Sequence, residues 1–373
     1  MVYLDYAANT PCDEQVLESF VAAARDYIGN PNSLHQPGVM ANQRMGKASE
    51  AIASVLGVKP NEIIYTSGAS EANNLAIKGI AAKYRQSGKH IISTALEHSA
   101  VSGALSYLVG LGYEVDLLDI NQDGTVDLEH LKELLRNDTI LVSVGYVDSE
   151  LGVEQPISQI AEILKAYPNC HFHTDATQAV GKIEVDFTGV DLVSFSPHKF
   201  FGLNGAGILI RKEGVKLEPI IHGGASTTEE RSGTPVLAMA VATEKALQLA
   251  YENLEQRYGH VTKLNNLLRD ELKKCKEVRI NSTEKSIPYT LNLSVKGFKS
   301  VALREALEEA GYLVSPKSAC SVPNTPSRAV LAVSRDRKAA LSCIRISMSH
   351  LTTEEEIKGF VEALKQVIIN TAN

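Results

Sequence analysis

Between about residues 60 and 212, short apolar runs alternate with amphipathic stretches, and no other feature of this 373-residue chain restricts its fold as tightly. The spacing predicts strands at 62–66, 90–93, 114–119, 140–147, 171–175, 192–196 and 207–211. Helices are expected between several of them, at 71–84, 99–108, 128–135 and 157–166. Strand–helix alternation of this kind builds an α/β domain around a mainly parallel sheet. Sheets of that class bind ligands beyond the carboxyl ends of their strands. Residues 236–274 read as one long helix leading to a second region, with strands at 289–295 and 343–347 and helices at 301–310 and 353–369. We therefore expect a large domain of residues 14–250 and a smaller α+β domain built from 1–13 and 251–373.

Charge and cysteine usage narrow the function classes. The 37 Lys and Arg against 44 Asp and Glu leave a net charge of -7, and no basic run is present, which argues against nucleic acid as the main partner. The chain starts directly into Tyr3-Leu4-Asp5-Tyr6, so no secretory signal is expected, and no apolar run approaches the roughly 18 residues that span a bilayer. A cytoplasmic, membrane-free protein is the expectation. The five cysteines (Cys12, Cys170, Cys275, Cys320, Cys343) are scattered without a Cys-x-x-Cys pair, poor material for a disulfide framework or a zinc site. Cys170 and Cys343 each open a strand-like run and read as buried small hydrophobes. No metal is expected, although His171 and His173 alternate onto one strand face, because no third ligand is signalled nearby.

Three polar segments carry the chemistry. In Leu192-Val193-Ser194-Phe195-Ser196-Pro197-His198-Lys199 an apolar strand ends in Ser, His and Lys. A lysine at the mouth of an α/β sheet can form a Schiff base with an aldehyde cofactor, with Ser196 and His198 placed to hold a phosphate. Alone, such a lysine is equally well an ordinary exposed residue. His173-Thr174-Asp175-Ala176-Thr177-Gln178 brings a carboxylate to the end of another strand, where it can pair with a protonated pyridine nitrogen or simply cap a helix. Tyr65-Thr66-Ser67-Gly68-Ala69-Ser70-Glu71 passes from strand through small residues into a helix, so the N–H groups around Ala69 and Ser70 form a phosphate site or a plain turn. His98, after another strand, is either structural or a ring-stacking partner. Together these segments make a pyridoxal-phosphate site.

With these motifs in hand, the sequence resembles the NifS/IscS-type cysteine desulfurases, pyridoxal-phosphate enzymes of the class V aminotransferase fold. The resemblance runs nearly end to end, through Leu4-Asp5-Tyr6-Ala7-Ala8, Gly29-Asn30-Pro31-Asn32-Ser33-Leu34-His35, Glu97-His98, His222-Gly223-Gly224, Arg231-Ser232-Gly233-Thr234, Ser318-Ala319-Cys320-Ser321 and Ile344-Arg345-Ile346-Ser347, besides the three segments above. It implies that Lys199 binds the cofactor and moves protons, Asp175 pairs with the pyridine nitrogen, Gln178 bonds the ring oxygen and His98 stacks on the ring. Ser70, Ser196 and His198 would hold the phosphate. Thr234 would reach the cofactor phosphate of a neighbouring subunit, which implies a homodimer. Arg345, helped by Asn30, would bind the substrate carboxylate, a task suited to a two-pronged guanidinium. Cys320, in a polar, proline-bearing stretch, would accept sulfur from L-cysteine, with Lys317 helping to stabilise its thiolate. The sulfur would pass to an acceptor protein, an iron–sulfur scaffold or a tRNA-thiolation enzyme.

The sequence departs from the family at two places. Asp148-Ser149-Glu150 stands where Asn-Asn-Glu is common, so Ser149 takes the position of an asparagine that touches the ring oxygen. Lys317 replaces a small residue before the nucleophile. Rival readings are a selenocysteine or cysteine sulfinate lyase on the same scaffold, and a scaffold protein that has lost catalysis.

Overall fold

Ile91 and Ile92, neighbours in one strand, belong to two different hydrophobic cores, and so do Leu141 and Val142, Leu192 and Val193, and Ile208 and Leu209. Successive strand side chains point to opposite faces, so a sheet whose strands are apolar at every position must be covered on both sides. The computed structural model, which describes residues 1–373 apart from 225, 227, 318–324 and 373, shows that sandwich. Seven strands run in the order Ile63–Thr66, Gly207–Arg211, Leu192–Phe195, His171–Asp175, Thr139–Ser143, His90–Thr94 and Glu114–Leu118. Only Gly207–Arg211 runs against the others. The expected mainly parallel α/β architecture is therefore present.

One face is covered by the helices Ala69–Lys83 and Ser99–Val109, which bury Leu75, Ile80 and Leu105 against Ile64, Ile91 and Leu192. The other carries Ile160, Leu164, Val180 and Leu247 against Val142, Phe172 and Val193. Each such side chain contributes about 1.5–3 kcal/mol on leaving water. Cys170 is buried in the second of these cores and Cys343 in a separate cluster with Leu151, Val153 and Val330, as expected of small hydrophobes.

Two expected elements need correction. The strand placed at 140–147 spans Thr139–Ser143. Beyond it Val144 N and Tyr146 N still donate to His173 O and Asp175 O, but Gly145 turns its N–H to the Glu97 carboxyl at 3.0 Å, and regular strand pairing ends. The single helix at 236–274 is two, Leu237–Glu252 and Leu254–Leu272. At Asn253 the side-chain amide donates to Leu249 O at 2.9 Å, and the local competition interrupts the helix.

A second sheet pairs Thr290–Val295 antiparallel with both Val278–Ile280 and Cys343–Ser347. The N-terminus is stitched to this region. Val2–Tyr3 lies parallel to Tyr312–Leu313, and Ser347 N donates to Leu4 O at 2.8 Å. The final helix, Glu354–Ala372, opens with a reciprocal cap in which Thr353 N reaches Glu356 Oε2 and Glu356 N reaches Thr353 Oγ1, as its Thr-Glu-Glu-Glu start foretells. Among the described residues no helix is long and apolar enough to cross a membrane.

Candidate active site

Six parallel strands end on one side of the sheet, and the turns that follow five of them enclose a cavity of about 400 Å³. It is lined by Lys199, Asp175, His98, Gln178, Ser196, His198, Ala69, Ser70, Ser149 and Arg345, all singled out from the sequence. Asn30 and Thr234 are exposed and lie outside that lining. Cys320 falls outside the described residues.

The lysine is set by a short 3-10 turn, Pro197–Lys199, that follows the strand Leu192–Phe195. Thr10 clamps this turn, its N and Oγ1 each donating to His198 O at 3.0 Å while Phe201 N donates back to Thr10 Oγ1 at 2.7 Å. The same N-terminal stretch receives the ammonium, with Lys199 Nζ donating to Ala7 O at 3.0 Å and Ala8 O at 2.6 Å. Asp175 closes its strand. Its carboxylate accepts from Asn73 Nδ2 at 2.7 Å and Thr177 N at 3.0 Å.

His98 caps the helix Ser99–Val109 by accepting from Ala100 N at its Nδ1, 3.2 Å away. Burial holds the ring below the usual histidine range, against the opposing pull of Asp175. A neutral ring with a lone pair on Nδ1 carries its proton on Nε2. His198 is pushed down to about 4 by burial and by Lys199 and Lys182, so it too is neutral.

At the start of the helix Ala69–Lys83, Ala69 N donates to Ser196 Oγ at 2.7 Å and ties the small-residue turn to the lysine strand. The approach is close because Gly207 lacks a side chain. A Cβ there would sit 2.4 Å from the carbonyl carbon of Gly68. Glu71, in the first helical turn, would repel an anion bound here, but Arg231 Nε pairs with its Oε1 at 2.8 Å. The helix start is left as a neutral-to-positive cradle.

Arg345 is almost wholly buried in the strand Cys343–Ser347. Nη2 donates to Asp5 Oδ1 and Nη1 to Ser149 O, both at 2.8 Å, while Nε is buried with no partner among the described residues. Ser315 Oγ supports the far oxygen of Asp5 at 2.7 Å. A buried N–H left open on a cavity-lining guanidinium is a place for an oxyanion.

Two acids that no spacing rule flagged also line the cavity. Burial raises Glu97 to about 8 and Asp148 to about 7. Glu97 Oε1 accepts from both Thr94 Oγ1 and Gly145 N, leaving Oε2 to carry the proton. Asp148 accepts from the backbone of Glu150 and Leu151 through Oδ2, and its Oδ1 has no partner among the described residues. Because the unfolded chain releases the Glu97 proton near 4.5 and the folded chain near 8, this group's stabilisation is complete below pH 4.5 and lost as pH rises to 8. Glu97→Gln mimics the protonated acid and cannot ionise. Its melting temperature should fall less between pH 5 and pH 8 than the unsubstituted protein's, by about 2 °C or more, with Asp148 supplying a residual slope of the same sign. Identical slopes in thermal melts would contradict the assignment.

The two strand histidines have other roles. His173 bridges Ser143 Oγ at 2.8 Å and Ser194 Oγ at 3.1 Å, and burial holds it neutral at about 4. His171 packs on Tyr84. Among the described residues no group of three His, Cys, Asp or Glu is placed to hold a metal ion. Lys317, expected to assist the nucleophile, is buried and donates to Thr325 O at 2.8 Å and Thr325 Oγ1 at 2.7 Å, joining the residues that bracket 318–324.

The aminotransferase class-V family matches residues 2–360. Relatives include cysteine desulfurase IscS of Neisseria meningitidis, 40% identical over 98% of this chain and 92% of that protein, and cysteine desulfurase IscS of Dictyoglomus turgidum, 37% identical over 98% and 94%. A solved NifS-like protein superimposes with a TM-score of 0.92 at 35% identity, covering 99% of both chains.

Proposed function

The chain belongs to the aminotransferase class-V family, and on that premise we propose that it is a pyridoxal-phosphate-dependent cysteine desulfurase, converting L-cysteine to L-alanine and an enzyme-bound persulfide. The observation that carries this reading is the convergence of Lys199, Asp175, His98 and Arg345 on one cavity at the carboxyl ends of a parallel sheet. The residues fit the cofactor. The cavity has room for it, the anion cradle at Ala69, Ser70 and Ser196 suits a phosphate, and the buried Oγ1 of Thr177 and Nε of Arg345 await polar partners. His198 would join the cradle, Gln178 and Ser149 would face the ring oxygen, and His98 would stack on the ring.

When bound, pyridoxal phosphate supplies an electron sink for the charge left when the substrate's α-proton is removed. The residues do the rest. Arg345 takes the substrate carboxylate. Lys199 Nζ, steered by the carbonyls of Ala7 and Ala8, removes the α-proton. Asp175, a carboxylate fixed by two donors, sets a negative charge against the pyridine nitrogen. His98, with its proton on Nε2, exchanges protons with the substrate thiol. Cys320 as thiolate attacks the substrate sulfur. The new S–S bond replaces the C–S bond, whose electron pair stays on carbon and takes up protons to give alanine.

The remaining proposals follow the same reading. Residues 14–250 form the cofactor-binding domain, and 1–13 with 251–373 the smaller one. The protein acts as a homodimer, with Thr234 reaching the neighbouring subunit. Exposed Ile28, Leu34 and Val236, at 87%, 96% and 60%, favour a partner surface near that residue. Sulfur passes to an acceptor protein in the cytoplasm, a compartment that suits the free thiols of Cys12, Cys170, Cys275 and Cys343. The test is turnover of L-cysteine by the cofactor-loaded protein, read as alanine, beside selenocysteine and cysteine sulfinate. Alanine formed fastest from L-cysteine is expected. A loaded protein inert to L-cysteine but active on either analogue would overturn the substrate assignment.

A further inference from the structure

We propose that Lys182 is a positioning residue that fixes the direction in which Gln178 presents its amide to the cavity, an inference that rests on the functional reading above. Lys182 is buried, and among the described residues it makes no ion pair. Its Nζ donates to Gln178 Oε1 at 2.6 Å. On the other side of the same amide, Gln178 Nε2 donates to Ala7 O at 3.0 Å. Ala7 O can only accept, so it takes the amide nitrogen and leaves the amide oxygen to an N–H of Lys182, and the two neighbours together admit one orientation of the amide.

The consequence is a count of hydrogens. Nε2 carries two, and Ala7 O takes one. The second remains for the cavity that Gln178 lines. Gln178 therefore offers a donor, and the ligand atom that matches it is an acceptor such as the cofactor's ring oxygen. The arrangement extends to the site lysine, because Ala7 O also accepts from Lys199 Nζ at 3.0 Å. Released from Lys182, the amide is held by Ala7 O alone and can swing about that contact, so its second hydrogen is no longer aimed at the cavity. Burial, with Lys199 and Arg345 adding to it, lowers Lys182 to about 7, and both its charged and neutral forms keep an N–H for Gln178.

The alternative is a lysine that merely fills space. Buried charges of that kind are replaced by apolar residues of similar volume at little loss of stability. The test is a cycle of Lys182→Met, Gln178→Leu and the double variant. Its readouts are apoprotein melting, the Kd for pyridoxal phosphate by equilibrium dialysis, and the visible absorption maximum of the loaded protein. We expect Lys182→Met to melt no lower than the unsubstituted chain and to bind the cofactor about tenfold more weakly, the loss of roughly one hydrogen bond. Its absorption maximum should shift as that of Gln178→Leu does, and the double variant should bind no more weakly than Gln178→Leu alone. Losses that add in the double variant, or unchanged affinity in Lys182→Met, would overturn the proposal. Should Lys182→Met fail to fold, Lys182→Arg retains a cationic donor for Gln178 and is expected to bind within about threefold of the unsubstituted chain. A larger loss there overturns the assignment. If the unsubstituted chain itself binds no cofactor, the functional reading falls, and the proposal with it.

Discussion

Replacing Lys199 with Ala should lower alanine formation from L-cysteine by at least about 10³-fold, since the proposed mechanism makes this residue both the amine that holds the cofactor and the base that moves the α-proton. Among the described residues no other lysine lines the cavity. Lys182 is turned to Gln178 Oε1 and does not line it. The substitution should leave the fold intact. Lys199 lies in a cavity wall, and the carbonyls of Ala7 and Ala8 that lose its ammonium gain access to water. The variant should therefore melt near the unsubstituted protein while losing the visible absorbance of the lysine-bound cofactor. Turnover at about a tenth of the original rate or more would remove Lys199 from its assigned role.

The second large effect is expected at Asp175. Asp175→Asn keeps the size of the side chain but removes the charge that the proposed mechanism sets against the pyridine nitrogen, and kcat should fall by about 10²–10³-fold. Geometry compounds the loss. The carboxylate accepts from Asn73 Nδ2 through one oxygen and from Thr177 N through the other. An asparagine must set its NH₂ against one of these donors, so it loses the Thr177 N contact or obliges the Asn73 amide to turn its oxygen, which has no partner among the described residues, toward it. Asp175 also opposes the lowering of His98 by burial, and its neutralisation should move that ring further down. KM for L-cysteine should change little, because the substrate carboxylate is assigned to Arg345. Steady-state kinetics separates the two. A raised KM with unchanged kcat would place Asp175 in substrate binding and refute its assigned role.

Much of the fold was legible because its strongest signal is local. Leu192-Val193-Ser194-Phe195 is apolar on both faces, and such a run flanked by amphipathic stretches has few solutions besides a covered parallel sheet. The helix Gln36–Leu56 was not read. It packs through Ala41, Met45, Ala48 and Ile52 and contains Gly38 and Gly46, so its buried stripe is made largely of small residues that periodicity of large apolar side chains does not reveal. The break at Asn253 escaped for a related reason, since apolar spacing continues across it while one side-chain amide interrupts the backbone.

The site divides along the same line. Lys199, Asp175, His98 and the turn at Ala69 each end or follow a strand, and rules about strand ends find them. The contacts that orient them join distant parts of the chain, as with Arg345 to Asp5 or Ser196 to Ala69, and no spacing rule reaches so far. Glu97 shows the limit most plainly. It adjoins His98 in sequence, yet its protonation follows from complete enclosure, which only the folded chain reveals. Lys182 is similar, since nothing in its local sequence points to the Gln178 contact.

The central claim is that sulfur leaves L-cysteine for Cys320 and alanine is released. The direct measurement is mass spectrometry of the cofactor-loaded protein after brief exposure to L-cysteine, mapping added sulfur to individual cysteines and assaying alanine in the same sample. The account predicts one added sulfur on Cys320, none on Cys12, Cys170, Cys275 or Cys343, and alanine in step with the persulfide. A loaded protein that leaves Cys320 unmodified and forms no alanine would contradict it.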